Sequence, residues 1–106
     1  MTSGPGPRAK VIGDISIYPV GEGTSLGDYV NGALRAMRRV PGVRLVPTAM
    51  STIVEADGID DLLRVVKEAH TAMVEMGAKR IAVQLRVDHR LDKSETIEYK
   101  LRRVSG

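Results

Sequence analysis

The spacing of apolar and polar residues alternates along the chain between a period of two, typical of strands, and a period of about 3.6, typical of helices. From Lys10 to Val20, three apolar residues occupy odd positions (Val11, Ile15 and Ile17) and three more polar ones occupy even positions (Asp14, Ser16 and Tyr18). This alternation predicts a half-covered strand ending at Pro19 and Gly21. Residues 79–88 alternate in the same way and form the clearest predicted strand. Each of these strands has one face for a core and one polar face.

Two segments carry apolar residues at helical spacing. The first is predicted to begin with Ser25 as its N-cap and to end at Pro41-Gly42. The second is predicted to begin at Asp57 or Gly58 and to end at Gly77. The predicted buried faces are Leu26, Val30, Ala33, Leu34 and Met37 in the first helix and Leu62, Val66, Ala69, Met73 and Met76 in the second.

Two β-rich stretches, Val43 to Pro47 and Thr48 to Ala56, lie between the helices. They indicate a hairpin around Pro47-Thr48 or a bent strand pair. A polar turn follows the last strand, and a short terminal helix is marked by apolar residues at spacings of four and seven: Ile97, Leu101 and Val104.

The predicted order of elements is therefore βαββαβ plus a short C-terminal helix. Two crossover helices on one face of a four-stranded antiparallel sheet form the ferredoxin-like arrangement, an α+β sandwich. The sequence predicts a single domain of this class in residues 10–106. Residues 1–9 are rich in Gly and Pro without periodicity and are interpreted as a flexible leader.

Composition narrows the class of protein. Hydrophobic residues make up 42% of the chain and include no Phe or Trp, so the core must consist of Val, Ile, Leu, Ala and Met. The absence of cysteine excludes disulfides, thiolate metal sites and a cysteine nucleophile, and it suits a reducing cytoplasm. No apolar run approaches the roughly 20 residues of a membrane span, and the first residues lack the apolar stretch of a secretion signal. We therefore expect a cytoplasmic protein without a membrane partner.

The charge balance is only slightly basic. Sixteen Lys and Arg against 13 Asp and Glu give a net charge of +3, and two of the positive charges, Arg8 and Lys10, lie in or beside the leader. An RNA-recognition domain shares the βαββαβ order but stacks bases on aromatic residues of its central strands, where only Tyr18 is available here. We therefore expect no nucleic-acid partner.

The second face of the sheet is polar. The first and last strands present there Asp14, Ser16, Tyr18, Gln84, Arg86 and Asp88. This face is expected to be too polar for a second helix layer and to suit a ligand or a partner, although any solvated face would alternate in the same way. In the third strand, Thr52 and Glu55 are three residues apart and lie on opposite faces unless a bulge intervenes.

A series of motifs runs from Ile12 to about Val104. They are Ile15-Ser-Ile-Tyr-Pro-Val-Gly, Thr24-Ser25, Tyr29-Val30, Met50-Ser-Thr-Ile-Val-Glu55, His70, and Val87-Asp-His-Arg90 with Lys93, Thr96 and Lys100. In this order the chain resembles the thiamine-binding protein family, small ferredoxin-like proteins similar to YkoF-type thiamine and hydroxymethylpyrimidine binders. The resemblance implies non-catalytic binding of thiamine or its pyrimidine half, and homo-oligomers assembled through the sheets. Ser51 and Ala56 replace the family's usual glycines and place bulk near the expected pocket.

The polar face and the resemblance together predict six ligand-binding residues: Ser16, Tyr18, Thr52, Glu55, Gln84 and Asp88. Glu55 and Thr52 are the first choices for ligand contact, because a carboxylate inside a β-rich stretch is unfavourable unless it pairs with a cation or binds a ligand. An aminopyrimidine offers a ring-nitrogen acceptor and an amine donor, which a carboxyl group and a hydroxyl or amide can satisfy together. Thiamine's cationic thiazolium also favours a nearby carboxylate. The expected ligand is thiamine or hydroxymethylpyrimidine, with no cofactor and no metal.

Alternatives remain open at each position. Glu55 could be an edge-strand residue in solvent, Asp88 could start the following turn, and Tyr18 could pack in an oligomer interface. An enzyme could use Asp14, Glu55 or Asp88 as an acid/base group, but no Ser-His-Asp or metal-ligand spacing supports catalysis. His70 suits packing better than metal binding. An oligomeric structural or regulatory subunit without a small-molecule ligand would use the same polar face.

A four-stranded sheet leaves one face and two edges uncovered, so we expect a homodimer or homotetramer.

Overall fold

The computed structural model describes residues 10–23 and 26–104, which contain seven elements in the order that the sequence predicts. They are β1 (Val11–Pro19), α1 (Gly27–Arg38), β2 (Val43–Pro47), β3 (Thr52–Ala56), α2 (Ile59–Glu75), β4 (Ile81–Asp88) and α3 (Ile97–Val104). The predicted leader, residues 1–9, and the predicted cap Ser25 lie outside the described residues. Leu26 occupies the N-cap position of α1.

The four strands form one antiparallel sheet in the order β2-β3-β1-β4. On one side β1 pairs with β3 as far as Ile15 opposite Thr52. On the other side β1 pairs with β4 further along, as far as Pro19 opposite Ile81. The register of β1 with β3 is continuous, so no bulge intervenes between Thr52 and Glu55. The predicted hairpin between β2 and β3 and the ferredoxin-like fold are both confirmed.

α1 and α2 pack side by side on one face of the sheet, against the odd-numbered residues of β1, as alternation predicts. Gly13 belongs to this face, and a Cβ there would lie 2.6 Å from Leu62 Cδ1. The glycine therefore lets α2 approach β1 closely. The largest fully buried side chains are Ile15, Met37, Leu62, Met73, Val11, Val54 and Val65. Burial of each such side chain contributes about 1.5–3 kcal/mol, which makes this layer the main source of stability.

The predicted helix faces are correct at most positions and wrong at two. Val30 and Met76 are each 39% exposed, whereas Val65, which the spacing did not select, is fully buried. Val30 lies at the edge of α1, where it lines a cavity. Met76 follows the last residue of α2 and packs over α1 at Gly32. A Cβ built on Gly32 would lie 2.5 Å from the Met76 sulfur.

α3 lies against the opposite face of the sheet, called the open face below, and is held by polar contacts to β2, β3 and β4. The expectation that this face is too polar for a helix is therefore wrong at one end of the sheet. Of the predicted apolar stripe of α3, Ile97 is 7% exposed, whereas Leu101 and Val104 are 60% and 76% exposed. Charged pairs thus hold α3 where apolar burial is small. No helix in the described ranges is long and apolar enough to cross a membrane.

Candidate functional site

Thr48 closes the hairpin loop between β2 and β3. Its backbone N–H and its Oγ1 both donate to the carbonyl of Ser51, at 2.7 and 2.8 Å. The same hydroxyl oxygen accepts from the backbone N–H groups of Ser51 and Met50, at 3.1 and 3.3 Å. A threonine hydroxyl bonded in this way fixes the loop conformation locally.

A cavity of about 180 Å³ lies beneath this loop, between β1 and α1. It is lined by Ile15, Ser16, Ile17, Val30, Ala33, Leu34, Met37 and residues 47–52. The apolar wall comes mainly from β1 and α1, and the hydroxyl-bearing residues among the lining are Ser16, Thr48, Ser51 and Thr52. Pockets for drug-sized ligands measure roughly 300–1,000 Å³, so this hairpin cavity suits a single small ring.

β1 pairs with β3 over fewer residues than with β4, and this difference leaves a notch in the sheet. Pairing with β3 stops at Ile15, so residues 16–19 of β1 have no strand partner on that side within the described chain. Backbone N–H and C=O groups at this edge are available to hydrogen-bond something other than a strand. Ser16, Met50 and Ser51 border the hairpin cavity on one side of the notch and a groove in the open face on the other.

This open-face groove is a shallow depression of about 670 Å³. Its lining residues are Asp14, Ser16, Met50, Ser51, Gln84, Leu85 and Arg86. Ser16 and Gln84 lie directly opposite each other in the antiparallel register of β1 and β4, and Asp14 lies opposite Arg86. The groove therefore combines one acid, one base, an amide and two hydroxyl groups.

Asp14 forms an ion pair with Arg86 but keeps one oxygen without a partner. The Arg86 Nε donates to Asp14 Oδ2 at 3.1 Å, and a second guanidinium nitrogen contacts the same oxygen. Asp14 Oδ1 is buried and has no hydrogen-bond partner among the described residues. The Ser51 hydroxyl, and after it the Arg86 guanidinium, hold the pKa of Asp14 below its usual value, so this carboxylate is an anion at neutral pH.

The six predicted ligand residues do not form one cluster. Ser16 and Gln84 border the open-face groove, and Tyr18, which is 42% exposed, lies two residues further along β1. Thr52 is 9% exposed and borders the hairpin cavity on the helix-covered side of the sheet. Glu55 lies on the open face, as the three-residue spacing predicts. That these six residues bind a ligand stays a prediction.

Glu55 and Asp88 lie together at the other end of the open face, because both are opposite Ile12, one on each neighbouring strand. Ile12 is four residues from Ser16, which corresponds to about 13 Å along a strand. Both carboxylates contact α3: Glu55 Oε1 accepts from the Ile97 backbone N–H at 2.8 Å, and Asp88 pairs with Lys100. Their observed role is to hold α3 on the sheet.

Three further residues at the site were not selected from the sequence as ligand contacts: Asp14, Thr48 and Met50. Alternation places Asp14 on the polar face, but the buried oxygen becomes visible only with the register and the loop. Ser51 borders both cavities, as expected for bulk near the pocket. Ala56 is different, because it is fully buried in the core opposite Val11 and does not line the hairpin cavity or the open-face groove. The described residues contain no group of three or more His, Asp or Glu side chains placed to hold a metal ion.

Comparison with known proteins identifies the family. The family model described as "Thiamine-binding protein" matches residues 13–105, and the chain therefore belongs to the thiamine-binding protein family. The UPF0045 protein MJ1052 of Methanocaldococcus jannaschii is 35% identical over 95 residues, which cover 90% of this chain and 92% of the relative. The UPF0045 protein YqgV of Bacillus subtilis is 31% identical over 98 residues, which cover 89% and 93% of the two chains.

Solved structures of similar sequence share the fold. The crystal structure of MJ1052 superposes with a TM-score of 0.82 at 35% identity, covering 90% of this chain and 95% of that one. A Thermotoga maritima protein, TM0486, whose name proposes a role in thiamine biosynthesis or salvage, gives a TM-score of 0.74 at 26% identity. That superposition covers 89% of this chain and 97% of TM0486. The family and the fold predicted from the sequence are thus both confirmed.

Proposed function

We propose that this protein binds thiamine or its hydroxymethylpyrimidine half without transforming it, and that the pyrimidine ring occupies the hairpin cavity. Membership of the thiamine-binding protein family supports the class of ligand. The observation that carries the proposal is the cavity itself, a space of about 180 Å³ at a notch in the sheet with hydroxyl groups against an apolar wall.

The chemistry of the cavity suits an aminopyrimidine. The ring is flat and mostly apolar on its faces, which matches the aliphatic wall of Leu34, Met37 and Ile17. Its edge carries an amine donor and ring-nitrogen acceptors, which need hydrogen-bond partners once they leave water. The hydroxyl group of Thr52 and the unpaired β1 backbone at the notch supply both donors and acceptors.

Binding without turnover is proposed because the cavity offers hydroxyls and aliphatic groups rather than an activated nucleophile. A serine or threonine hydroxyl is a weak nucleophile unless an adjacent general base takes its proton. No His, Asp or Glu lines the hairpin cavity in the described part of the chain. We place this binding in the cytoplasm, which suits a cysteine-free chain.

Calorimetric titration with thiamine, hydroxymethylpyrimidine and the separate thiazole half tests the proposal. We expect saturable binding of thiamine and of the pyrimidine, weak or no binding of the thiazole, and unchanged thiamine in NMR spectra after prolonged incubation. If neither thiamine nor the pyrimidine binds at millimolar concentration, the proposed function is wrong. Loss of thiamine signals during incubation would instead show that the protein is an enzyme.

We also propose that the protein forms a homodimer or homotetramer through its sheet. β4 is an edge strand, and its helix-side residues Val83 and Val87 are 39% and 43% exposed, because α1 and α2 pack mainly over the other three strands. An unpaired edge with exposed apolar side chains favours association with a second chain. Association without ligand binding would favour the alternative of a structural or regulatory subunit.

A further inference from the structure

We propose that the open-face groove is a second subsite that holds the cationic ring of a two-ring ligand, with Asp14 as its counter-ion. This inference rests on the proposed function, since it concerns the half of thiamine that the hairpin cavity cannot contain. The hairpin cavity has room for one ring, and the groove begins where that cavity ends, at Ser16, Met50 and Ser51. A ligand of two rings joined by one carbon can therefore pass through the notch with one ring on each side.

The charge of the groove favours a cation. Among the described residues that line the groove, Asp14 is the only acidic one. Its side chain is 22% exposed, so its field is less screened by water than that of a surface carboxylate. Its buried Oδ1 accepts no hydrogen bond of normal geometry in the described structure, although the Ser51 hydroxyl is close enough to this carboxylate to lower its pKa. A buried acceptor left without a partner is unfavourable. A ligand with a hydroxyl group and a positive charge would therefore gain affinity from a hydrogen bond to Oδ1 and from its attraction to the carboxylate. Thiamine's thiazolium carries a hydroxyethyl group and fits this requirement.

Arg86 is the resident cation that such a ligand would replace. Its side chain is 84% exposed, so it can turn into solvent without losing buried contacts. Surface ion pairs contribute little free energy, which means that exchanging Arg86 for a ligand cation is not strongly opposed. Gln84 and Ser16, opposite each other beside the pair, offer an amide and a hydroxyl to a polar substituent of the ring.

Arg86 can instead hold the same ligand by donating to its hydroxyl oxygen, and the two possibilities predict opposite effects of the same variants. If Asp14 selects the cationic ring, Arg86→Gln removes a competitor and strengthens thiamine binding. If Arg86 holds the ligand, Arg86→Gln weakens binding and Asp14→Asn strengthens it.

The test is calorimetry at low ionic strength with thiamine and with hydroxymethylpyrimidine, at mildly alkaline pH where the pyrimidine is neutral. We expect Asp14→Asn to weaken thiamine binding about tenfold and to leave pyrimidine binding unchanged, and Arg86→Gln to strengthen thiamine binding about threefold. Asp57→Asn is the matched control, because Asp57 is an exposed carboxylate paired with Lys10 outside the groove, and it should change neither affinity.

The subsite is wrong if Asp14→Asn, folded by circular dichroism, binds thiamine as tightly as the wild type while both ligands still bind. In that case the proposed function stands. Failure of the wild type to bind either ligand removes the proposed function and the subsite with it. If Asp14→Asn does not fold, Arg86→Gln decides, since stronger thiamine binding supports the subsite and unchanged or weaker binding overturns it.

Discussion

Glu55 on β3 accepts a hydrogen bond at 2.8 Å from the backbone N–H of Ile97, the first residue of α3. Thr96, the residue before the helix, accepts from the Tyr99 backbone N–H through its Oγ1 at 3.1 Å. The first four N–H groups of a helix have no partner within the helix, and these two side chains satisfy two of them. A carboxylate also suits the positive end of the helix dipole. Glu55 therefore joins α3 to the sheet.

Replacing Glu55 should loosen α3. We expect Glu55→Ala to lower the free energy of unfolding by about 1–2 kcal/mol, the usual effect of losing a helix cap. Amide hydrogen exchange at Ile97 should accelerate, because its N–H loses its partner. Glu55→Gln keeps a neutral acceptor and should lose less. Glu75→Gln, at an exposed position of α2, is the control and should change neither quantity.

The same variants test the prediction, made from the sequence, that Glu55 contacts the ligand. If Glu55 only anchors α3, thiamine affinity should change by less than about twofold in Glu55→Gln. A loss of about tenfold in affinity, with unchanged exchange at Ile97, would instead show that Glu55 binds the ligand directly.

Gly13 should not tolerate a side chain. In Gly13→Ala the new Cβ would lie 2.6 and 2.9 Å from the two terminal carbons of Leu62, in the contact between β1 and α2. Overpacking of this kind typically costs about 1–3 kcal/mol, measurable as a lower denaturant midpoint. Gly27→Ala is the control, because nothing lies within 4 Å of a Cβ there and Gly27 is helical, so this variant should be neutral or more stable. Equal stability of the two variants would contradict the close approach of α2.

The fold was predictable from the sequence because each element buries one regular face. The alternation in β1 and β4 and the apolar stripes of α1 and α2 already specify which residues face the core. Exposure of Val83 and Val87 was not predictable, because it depends on how far the two helices extend across the sheet toward β4. That placement is a property of helix–sheet packing and has no local sequence signal.

The sequence predicts on which face of the sheet each candidate residue lies, but it does not predict which of these residues lie close together. The three-residue spacing correctly places Thr52 and Glu55 on opposite sides of the sheet. The spacing within β4 already separates Asp88 from Gln84 by four residues, whereas only the pairing of β3 with β1 shows that Glu55 lies opposite Ile12, four residues from Ser16. The contact between Glu55 and Ile97 spans 42 residues, so the anchoring of α3 could not be inferred from either segment alone.

Asp14 should make the free energy of unfolding depend on pH in the acidic range. Its folded-state pKa lies below the unperturbed value of 3.8, so its contribution is fully present above that value and is lost as the pH falls through the folded-state pKa. Asp92 and Glu98, whose pKa values are also lowered, add to the acid loss in the wild type. We expect the difference in unfolding free energy between wild type and Asp14→Asn to shrink as the pH falls below the unperturbed value of 3.8. A pH-independent difference would contradict the shift.

Association of chains should depend on the exposed apolar residues of β4. We expect a double variant, Val83→Lys with Val87→Lys, to be monomeric by light scattering at micromolar concentration, because buried unpaired charges oppose an apolar interface. Circular dichroism should be unchanged, since both side chains already reach solvent. Val104→Lys, on the exposed side of α3, should leave the assembly intact. A wild type that is itself monomeric would rule out the proposed oligomer, and an intact double-variant oligomer would place the interface elsewhere.

Thr52 tests whether the pyrimidine occupies the hairpin cavity. Thr52→Val keeps the shape of the side chain and removes its hydroxyl, and Thr52 is only 9% exposed, so the change acts inside the cavity. Loss of one neutral hydrogen bond to the ligand corresponds to about 0.5–1.5 kcal/mol, or roughly two- to tenfold in affinity. The loss should be equal for thiamine and hydroxymethylpyrimidine, because they share the ring that enters the cavity. Thr71→Val, on the exposed side of α2, controls for the chemical change. A loss confined to thiamine would show that Thr52 contacts the thiazolium instead, and unchanged affinity for both ligands would remove Thr52 from the site.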